Sequence, residues 1–110
     1  MTTSIIASIQ RVLKVFPGDV PENVPLPYAF YTSTRSAIHT KDGIAGYEGT
    51  MSVGIVAESK VAVDTLAKRV VAELNGKSFD GITLLLADIS DSEYTEVGLS
   101  TSELTFNYIE

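Results

Sequence analysis

His39 is the residue of this chain best suited to acid–base chemistry, and the sequence contains no second histidine. A histidine base needs a carboxylate that orients its ring, and Asp42 lies nearby, with Lys41 between them. This group falls at the predicted tip of a β-hairpin, where water competes for hydrogen bonds and nothing fixes the geometry. We therefore interpret His39 as an exposed loop residue, and we expect no enzymatic activity.

The densest group of potential metal ligands is acidic and comprises Asp88, Asp91, Glu93 and Glu96. Carboxylate oxygens suit Ca²⁺ and Mg²⁺. The EF-hand pattern fails, however, because the glycine and the terminal bidentate glutamate are missing at their required offsets. Charged residues around a strand turn are more typical of a solvated sheet edge, which deters pairing with another edge. We expect neither a metal site nor a cofactor.

Other patterns that carry chemistry in proteins do not fit this sequence. Gly43, Gly46 and Gly49 have a spacing unlike that of dinucleotide or phosphate-binding loops, and we interpret them as turn positions with positive φ. No serine lies in a Gly-x-Ser-x-Gly elbow. Several aromatic residues that could stack nucleobases lack interleaved Arg and Lys, which favours core packing; these are Tyr28, Phe30, Tyr31 and Tyr47.

Length and charge restrict the class of protein further. The 110 residues suit one domain, spanning 1–110, and the absence of cysteine excludes disulfides and thiolate metal sites. The net charge of −6 falls entirely on residues 58–110, because bases and acids balance in residues 1–57. This distribution argues against nonspecific nucleic-acid binding. The amino-terminal apolar stretch lacks a basic n-region and is too short for a membrane span, so we expect no signal peptide and no membrane partner.

The segment 49–76 predicts a strand that runs directly into a helix. Apolar residues alternate from Met51 to Ala57, which is the period of a sheet with one buried face. After Ser59, a plausible N-cap, the period changes to that of an amphipathic helix, and Asn75-Gly76 supplies its stop. The helical stripe comprises Val63, Leu66, Ala67, Val70, Val71 and Leu74.

The rest of the chain predicts one more helix and three more strands. An apolar stripe from Ile5 to Phe16 indicates a helix that ends at Pro17-Gly18, followed by an extended proline-rich connector. Residues 28–38 predict a strand joined to the next, at about Tyr47, by a long exposed tip. We therefore expect an α+β fold in the order helix-strand-strand-helix-strand-strand, with a mostly antiparallel or mixed sheet and helices packed on one face.

The two closing strands carry more specific expectations. Residues 82–89 are nearly all apolar, which predicts a central strand buried on both faces, followed by a turn at Asp91-Ser92. Leu104, Phe106 and Tyr108 alternate, whereas Val97 and Leu99 have the opposite parity. A bulge or break near Ser100–Ser102 would reconcile the two halves of this strand.

Three segments, together with the element order, carry a family resemblance. They are the Pro-Tyr opening of the first strand at 27–31, the strand leading into an alanine- and valine-rich helix at 53–76, and the alternating closing strand at 104–108. In these respects the chain resembles the tail-completion or tail-terminator proteins of long-tailed phages and prophages. The resemblance covers nearly the whole chain, but the tip segment 36–46 matches no part of the family pattern.

The resemblance implies a small, non-enzymatic protein that caps a finished tail tube and presents a surface for the head connector. It implies a homo-oligomeric ring, usually six-fold, whose further partners are the major tail tube protein and the head–tail connector protein. The implied location is the host cytoplasm during assembly and the virion tail afterwards.

A ring needs a heterologous interface, in which a patch on one subunit meets a different patch on its neighbour. We expect the sheet edges and the hairpin tip to supply it, with His39, Lys41, Asp42 and Ile44 as candidate interface residues. An isoleucine exposed in a hydrophilic tip can be a docking contact. The alternative is a small α+β ligand-binding or regulatory domain, expected to be dimeric, that binds a metabolite between sheet and helix. A deep enclosed pocket with converging polar groups would favour this alternative.

Overall fold

The fold combines two helices with one mixed β-sheet. The computed structural model describes residues 2–18, 25–79, 81–94 and 98–109. Within these ranges the helices are α1 (Thr2–Gln10) and α2 (Lys60–Leu74). The strands are β1 (Lys14–Pro17), β2 (Tyr28–Thr40), β3 (Gly43–Ala57), β4 (Ser78–Phe79), β5 (Ile82–Tyr94) and β6 (Leu99–Ile109).

The six strands form a single sheet in the order β1-β2-β3-β6-β5-β4. β1 pairs with β2 in parallel, and the other neighbouring strands are antiparallel. The predicted α+β class and mixed sheet are therefore confirmed. The predicted element order omits β1 and β4, the two short strands at the edges of the sheet.

The core lies where α1 and α2 meet one face of the sheet. The alternating residues Met51, Val53, Ile55 and Ala57 of β3 are all buried, as the period of two predicts. Their partners across the ladder to β6 include Leu104 and Phe106, which are fully buried. Both helices contribute to this same cluster, through Ile5 and Ile9 of α1 and through Val63, Ala67, Val70 and Leu74 of α2.

α2 begins and ends where the sequence predicts. The hydroxyl of Ser59 accepts a hydrogen bond from the amide of Ala62 at 3.1 Å, which satisfies one of the free donors in the first turn. Asn75 is the C-cap, and Gly76 follows it with a φ of +71°, a conformation that glycine adopts without a steric penalty. Within the described residues, neither helix is long and apolar enough to cross a membrane.

α1 is shorter than predicted, because the apolar stripe from Ile5 to Phe16 belongs to two different elements. The amides of Val12 and Leu13 both bond to the carbonyl of Ile9, which closes the helix. The chain then turns into β1, whose Lys14–Pro17 aligns in register with Tyr28–Tyr31 of β2. Strand pairing thus replaces the helical continuation that local periodicity indicates. Residues 19–24 of the predicted connector lie outside the described part of the chain.

β5 is not a central strand, and it is not buried on both faces. It lies next to the edge strand β4, whereas β3 and β6 occupy the middle of the sheet. Ile82 and Leu84 point into the core, but Leu85 is 58% exposed because its face of the sheet carries no helix. An apolar run therefore failed here as an indicator of two-sided burial, since α1 and α2 cover a single face.

Two further predictions about the closing hairpin are wrong. Asp91-Ser92 lies inside β5, which continues to Tyr94, so there is no turn at this point. The irregularity lies in β5, between Leu86 and Asp88, and β6 pairs with β3 without a break from Ser100 to Ile109. Ser100 and Ser102 are themselves buried and extend the inward-facing row of β6. Val97 and Glu96 lie outside the described residues.

The Ser59 cap gives a direct test of the strand-to-helix junction. Ser59→Ala removes the acceptor for the Ala62 amide, so we expect the free energy of unfolding to fall by about 1 kcal/mol. Urea denaturation followed by circular dichroism measures this change. Ser33→Ala on the exposed part of β2 is the matched control and should change stability by less than about 0.5 kcal/mol. Equal losses in the two variants would contradict the capping role.

Candidate functional site

The most distinctive surface of the molecule is the part of the β2–β3 hairpin that extends past the rest of the sheet. β6 pairs with β3 only as far as Glu48, whereas β2 and β3 continue to pair until Thr40 and Gly43. We call residues 36–47 the arm. At about 3.4 Å per residue, the arm extends roughly 15–20 Å beyond the six-stranded body. The molecule accordingly measures 54 × 23 × 23 Å along its principal axes.

The tip of the arm is a tight turn and not the long loop predicted from the sequence. Thr40 pairs with Gly43, which leaves Lys41 and Asp42 as the two turn residues. The Thr40 hydroxyl donates to the Gly43 carbonyl at 3.0 Å and accepts from the Asp42 amide at 3.3 Å. Gly43 has a φ of +114°, a value that L side chains rarely adopt.

The structure brings the four candidate interface residues together at this tip. His39 and Ile44 are direct cross-strand partners and therefore share one side of the ribbon, while Lys41 and Asp42 form the turn. All four are exposed, and the Ile44 side chain is 56% accessible. Within the described residues, no hydrogen bond or ion pair joins His39 to Asp42. The group therefore offers a contact surface with one aliphatic side chain, and it lacks the fixed geometry of a catalytic dyad.

Of the three glycines interpreted as turn positions, only Gly43 has a positive φ. Gly46 and Gly49 lie within β3, opposite Ile38 and Arg35. A register shift after Ile38 leaves Ala45 as an extra residue in β3, which is the geometry of a β-bulge near the tip. Gly46 and Gly49 are therefore strand residues, and the glycine spacing does not mark successive turns.

Gly49 explains how the arm is held to the body. A Cβ at this position would overlap both the Thr34 carbonyl oxygen and the Tyr108 ring, so the missing side chain lets Tyr108 cross the strand. The Tyr108 hydroxyl then donates to the Thr34 carbonyl at 3.2 Å. Arg35, the partner of Gly49 in β2, lies diagonally across from Tyr47, and its guanidinium is 4.9 Å from the centroid of the Tyr47 ring. These contacts fix the direction of the arm at its base.

Sequence reasoning did not identify Gly49 and Tyr108 as a pair. The available signal was a glycine inside a segment of strand character, which often marks a close approach of another group. The identity of that group depends on the β3–β6 register, in which Gly49 lies opposite Tyr108. Such a pairing depends on the tertiary structure and is not evident in local sequence.

Among the open concavities of the described structure, two lie beside the arm and β5. The larger, of about 670 Å³, lies at the base of the arm on the face without helices and is lined by Thr34, Thr50, Leu85, Asn107 and Ile109, among others. The smaller, of about 280 Å³, lies between α2 and β5 and is lined by Asp64, Ala67, Lys68, Val71, Ile89, Asp91 and Ser102. Exposed Leu85 and Ile109 line the first, and half-exposed Ile89 lines the second, so neither encloses a ligand.

The acidic group does not form a metal site in the described residues. Asp88 lies opposite Thr105, and Asp91 lies opposite the inward-facing Ser102, so their side chains project from opposite faces of β5. One Asp88 oxygen accepts a hydrogen bond from the Ile89 amide at 2.9 Å. The Glu93 side chain and the whole of Glu96 lie outside the described part. No cluster of three or more potential ligands occurs among the residues described.

The comparisons with known proteins give a likeness in fold. Neither a protein-family model nor a curated protein matches the sequence. Among solved structures, the chain is similar to one in the virion of a native gene transfer agent (GTA) particle, with a TM-score of 0.68 and 16% sequence identity. The match covers 96% of this chain and 82% of that chain. At this level of identity the likeness establishes a shared fold.

The tyrosine at the base of the arm gives a second test. Tyr108→Phe deletes the hydroxyl that bonds to Thr34, so we expect the free energy of unfolding to fall by about 1 kcal/mol. Tyr28→Phe is the control, because the Tyr28 hydroxyl makes no hydrogen bond within the described residues, and its ring contact with Phe16 is kept. Urea denaturation measures both. The assignment is wrong if Tyr108→Phe is as stable as the wild-type protein.

Proposed function

We propose that this protein is a non-enzymatic structural component of a phage or phage-like particle. The observation that carries the proposal is the fold shared with a chain of a gene transfer agent virion over 96% of this sequence. The exposed arm of the described structure supports it. The protein would be found in the host cytoplasm during assembly and in the particle afterwards.

More specifically, we propose that the protein completes the tail. It would cap the tail tube as a homo-oligomeric ring, six-fold in the family that the sequence resembles, and present a surface to the head connector. The major tail tube protein and the head–tail connector protein would then be its partners besides further copies of itself. Residues 27–31, 53–76 and 104–108 carry the sequence resemblance on which this role depends.

The arm provides the physical argument for an assembly role. A two-stranded ribbon without a third strand or a packed face is only marginally stable in water. This ribbon nevertheless places Ile44 in solvent at its tip, where burial of the side chain would be favourable by about 1.5–3 kcal/mol. Such a projection brings no benefit to the isolated fold. It suits a surface that becomes covered when another subunit docks.

The alternative function, a dimeric ligand-binding or regulatory domain, receives less support. A metabolite site requires convergent polar groups in a concave and largely enclosed pocket. The concavities at the base of the arm and between α2 and β5 are open, and the second is lined mainly by apolar atoms. We therefore retain the assembly role as the function that the geometry supports best.

Composition of purified particles tests the proposal. The gene is deleted in the host that produces the particles, and particles from the deletion and parent strains are compared by mass spectrometry and electron microscopy. We expect the protein in parent particles at a few copies per tail, and we expect the deletion to give headless tails or tails of irregular length. Normal particles in the deletion strain, or parent particles without this protein, would refute the proposal.

Substitution at the tip tests the docking residue separately. Ile44→Ala should lower the amount of particle-associated protein by about tenfold, which corresponds to about 1.4 kcal/mol of lost contact, while the free energy of unfolding stays unchanged. Val61→Ala on α2 is the matched control, because Val61 is also an exposed aliphatic residue, at 77% accessibility. Normal particle assembly with Ile44→Ala would show that Ile44 is not a docking residue.

A further inference from the structure

We infer that the arm of one copy docks along the free edge of β5 on a second copy and extends that copy's sheet by one strand. This inference deepens the proposed ring, and it rests on that proposed function. The pairing joins residues 36–40 of β2 to residues 88–94 of β5 in antiparallel orientation. The side of the arm that carries His39 and Ile44 would face the groove between α2 and β5.

The edge of β5 is covered over its first part and open over its second. β4 pairs with Ile82 and Thr83, and the Asn75 side chain then accepts a hydrogen bond from the Leu86 amide at 2.8 Å. After the irregularity at Ala87, no described strand pairs with the outer side of residues 88–94. An edge of this length is a template for pairing with another strand.

The β2 side of the arm is the matching free edge. β1 covers β2 only from Tyr28 to Tyr31, and no described strand lies beside residues 36–40. The segment contains neither proline nor a lysine within the strand, which are common devices that block edge pairing. Free edges therefore occur on opposite sides of the sheet, one near each end of the molecule.

Charge distinguishes a pairing of unlike edges from a pairing of like edges. By sequence, the β5 edge carries Asp88, Asp91 and Glu93 without a basic residue. Residues 36–40 of the arm contain no Asp, Glu, Lys or Arg, and the charges of Lys41 and Asp42 at the turn balance each other. Two β5 edges would repel each other, whereas a β5 edge meets no like charge on residues 36–40 of an arm. Of the two free edges described above, the arm of a second copy is therefore the one that can pair with β5.

The groove beside β5 supplies an independent indication that this region receives a ligand group. Ser102 is 1% exposed, and its hydroxyl makes no hydrogen bond within the described structure. Unsatisfied buried hydroxyls are unfavourable, so such a group favours an incoming polar partner. Ile89, which is 48% exposed, provides apolar surface at the same place. At about 280 Å³ the groove suits side chains better than a metabolite.

The geometry of this contact is head-to-tail. The arm projects at the end of the sheet where β5 begins, and residues 88–94 lie toward the opposite end. Contacts between two different patches repeat from subunit to subunit, and they close into a ring when the rotation between neighbours permits. The free edges and the arm thus supply both halves of one heterologous interface.

Disulfide trapping tests this pairing, and the natural chain contains no cysteine that would interfere. Ile38→Cys is combined in the full chain with Ser90→Cys or with Ser92→Cys. These two combinations correspond to the two pairing registers of arm and β5 in which the helix-covered faces of both sheets lie on the same side. The control combines Ile38→Cys with Thr65→Cys on the exposed side of α2. Each variant is oxidised as concentrated purified protein and within purified particles, and products are separated on non-reducing gels.

We expect one of the β5 variants to give a ladder of crosslinked oligomers, with roughly tenfold more product than the control, because a disulfide requires closely apposed Cα atoms. Adding Ile44→Asp to that variant should reduce the ladder, whereas Ile44→Val should preserve it. If neither sample gives more crosslinked oligomer than the control, the inference is overturned. If particles contain the protein but give no ladder, the docking mode fails and the structural role stands; if particles lack the protein, the proposed function itself fails.

Discussion

Burial of a single face of the sheet is the constraint on which the rest of this structure depends. α1 and α2 cover the inward row of β3 and β6, and the fully buried side chains of these strands belong to the same cluster as those of the helices. This core stabilises the six-stranded body but does not reach the arm, because β6 ends its pairing at Glu48. Hydrophobic burial therefore accounts for the body, whereas the arm depends on hairpin hydrogen bonds and on the Tyr108 contact at its base.

Sequence reasoning succeeded where one periodicity determined the structure. The alternation from Met51 to Ala57 and the change of period at Ser59 predicted a buried strand and a capped helix, and both are present. It failed where pairing with a distant segment decided the outcome. Lys14–Pro17 became a strand because β2 lies beside it, and the apolar run of β5 is half exposed because one face of the sheet has no helix. The candidate site shows the same division. The exposed tip could be predicted from the local sequence, whereas the role of Gly49 depends on its distant partner Tyr108.

The exposed surfaces of this fold suit contacts with other subunits. The isolated fold leaves three surfaces without a partner. They are the arm, with its exposed Ile44, the unpaired acidic edge of β5, and the groove over the Ser102 hydroxyl, which makes no hydrogen bond in the described structure. The arm lies outside the helix–sheet core, so the isolated domain loses little stability by carrying it. The placement of these surfaces toward opposite ends and sides of a 54 Å molecule favours repeated association over a closed two-fold pair.

Amide hydrogen exchange, compared between the free protein and purified particles, tests the central claim most directly. The account predicts that amides in residues 36–47 exchange rapidly in the free protein and become strongly protected in particles. Amides of residues 51–57, at the centre of the sheet, should be protected in both states. Equal exchange of the arm in free and assembled protein would contradict the claim that the arm is a docking element covered on assembly.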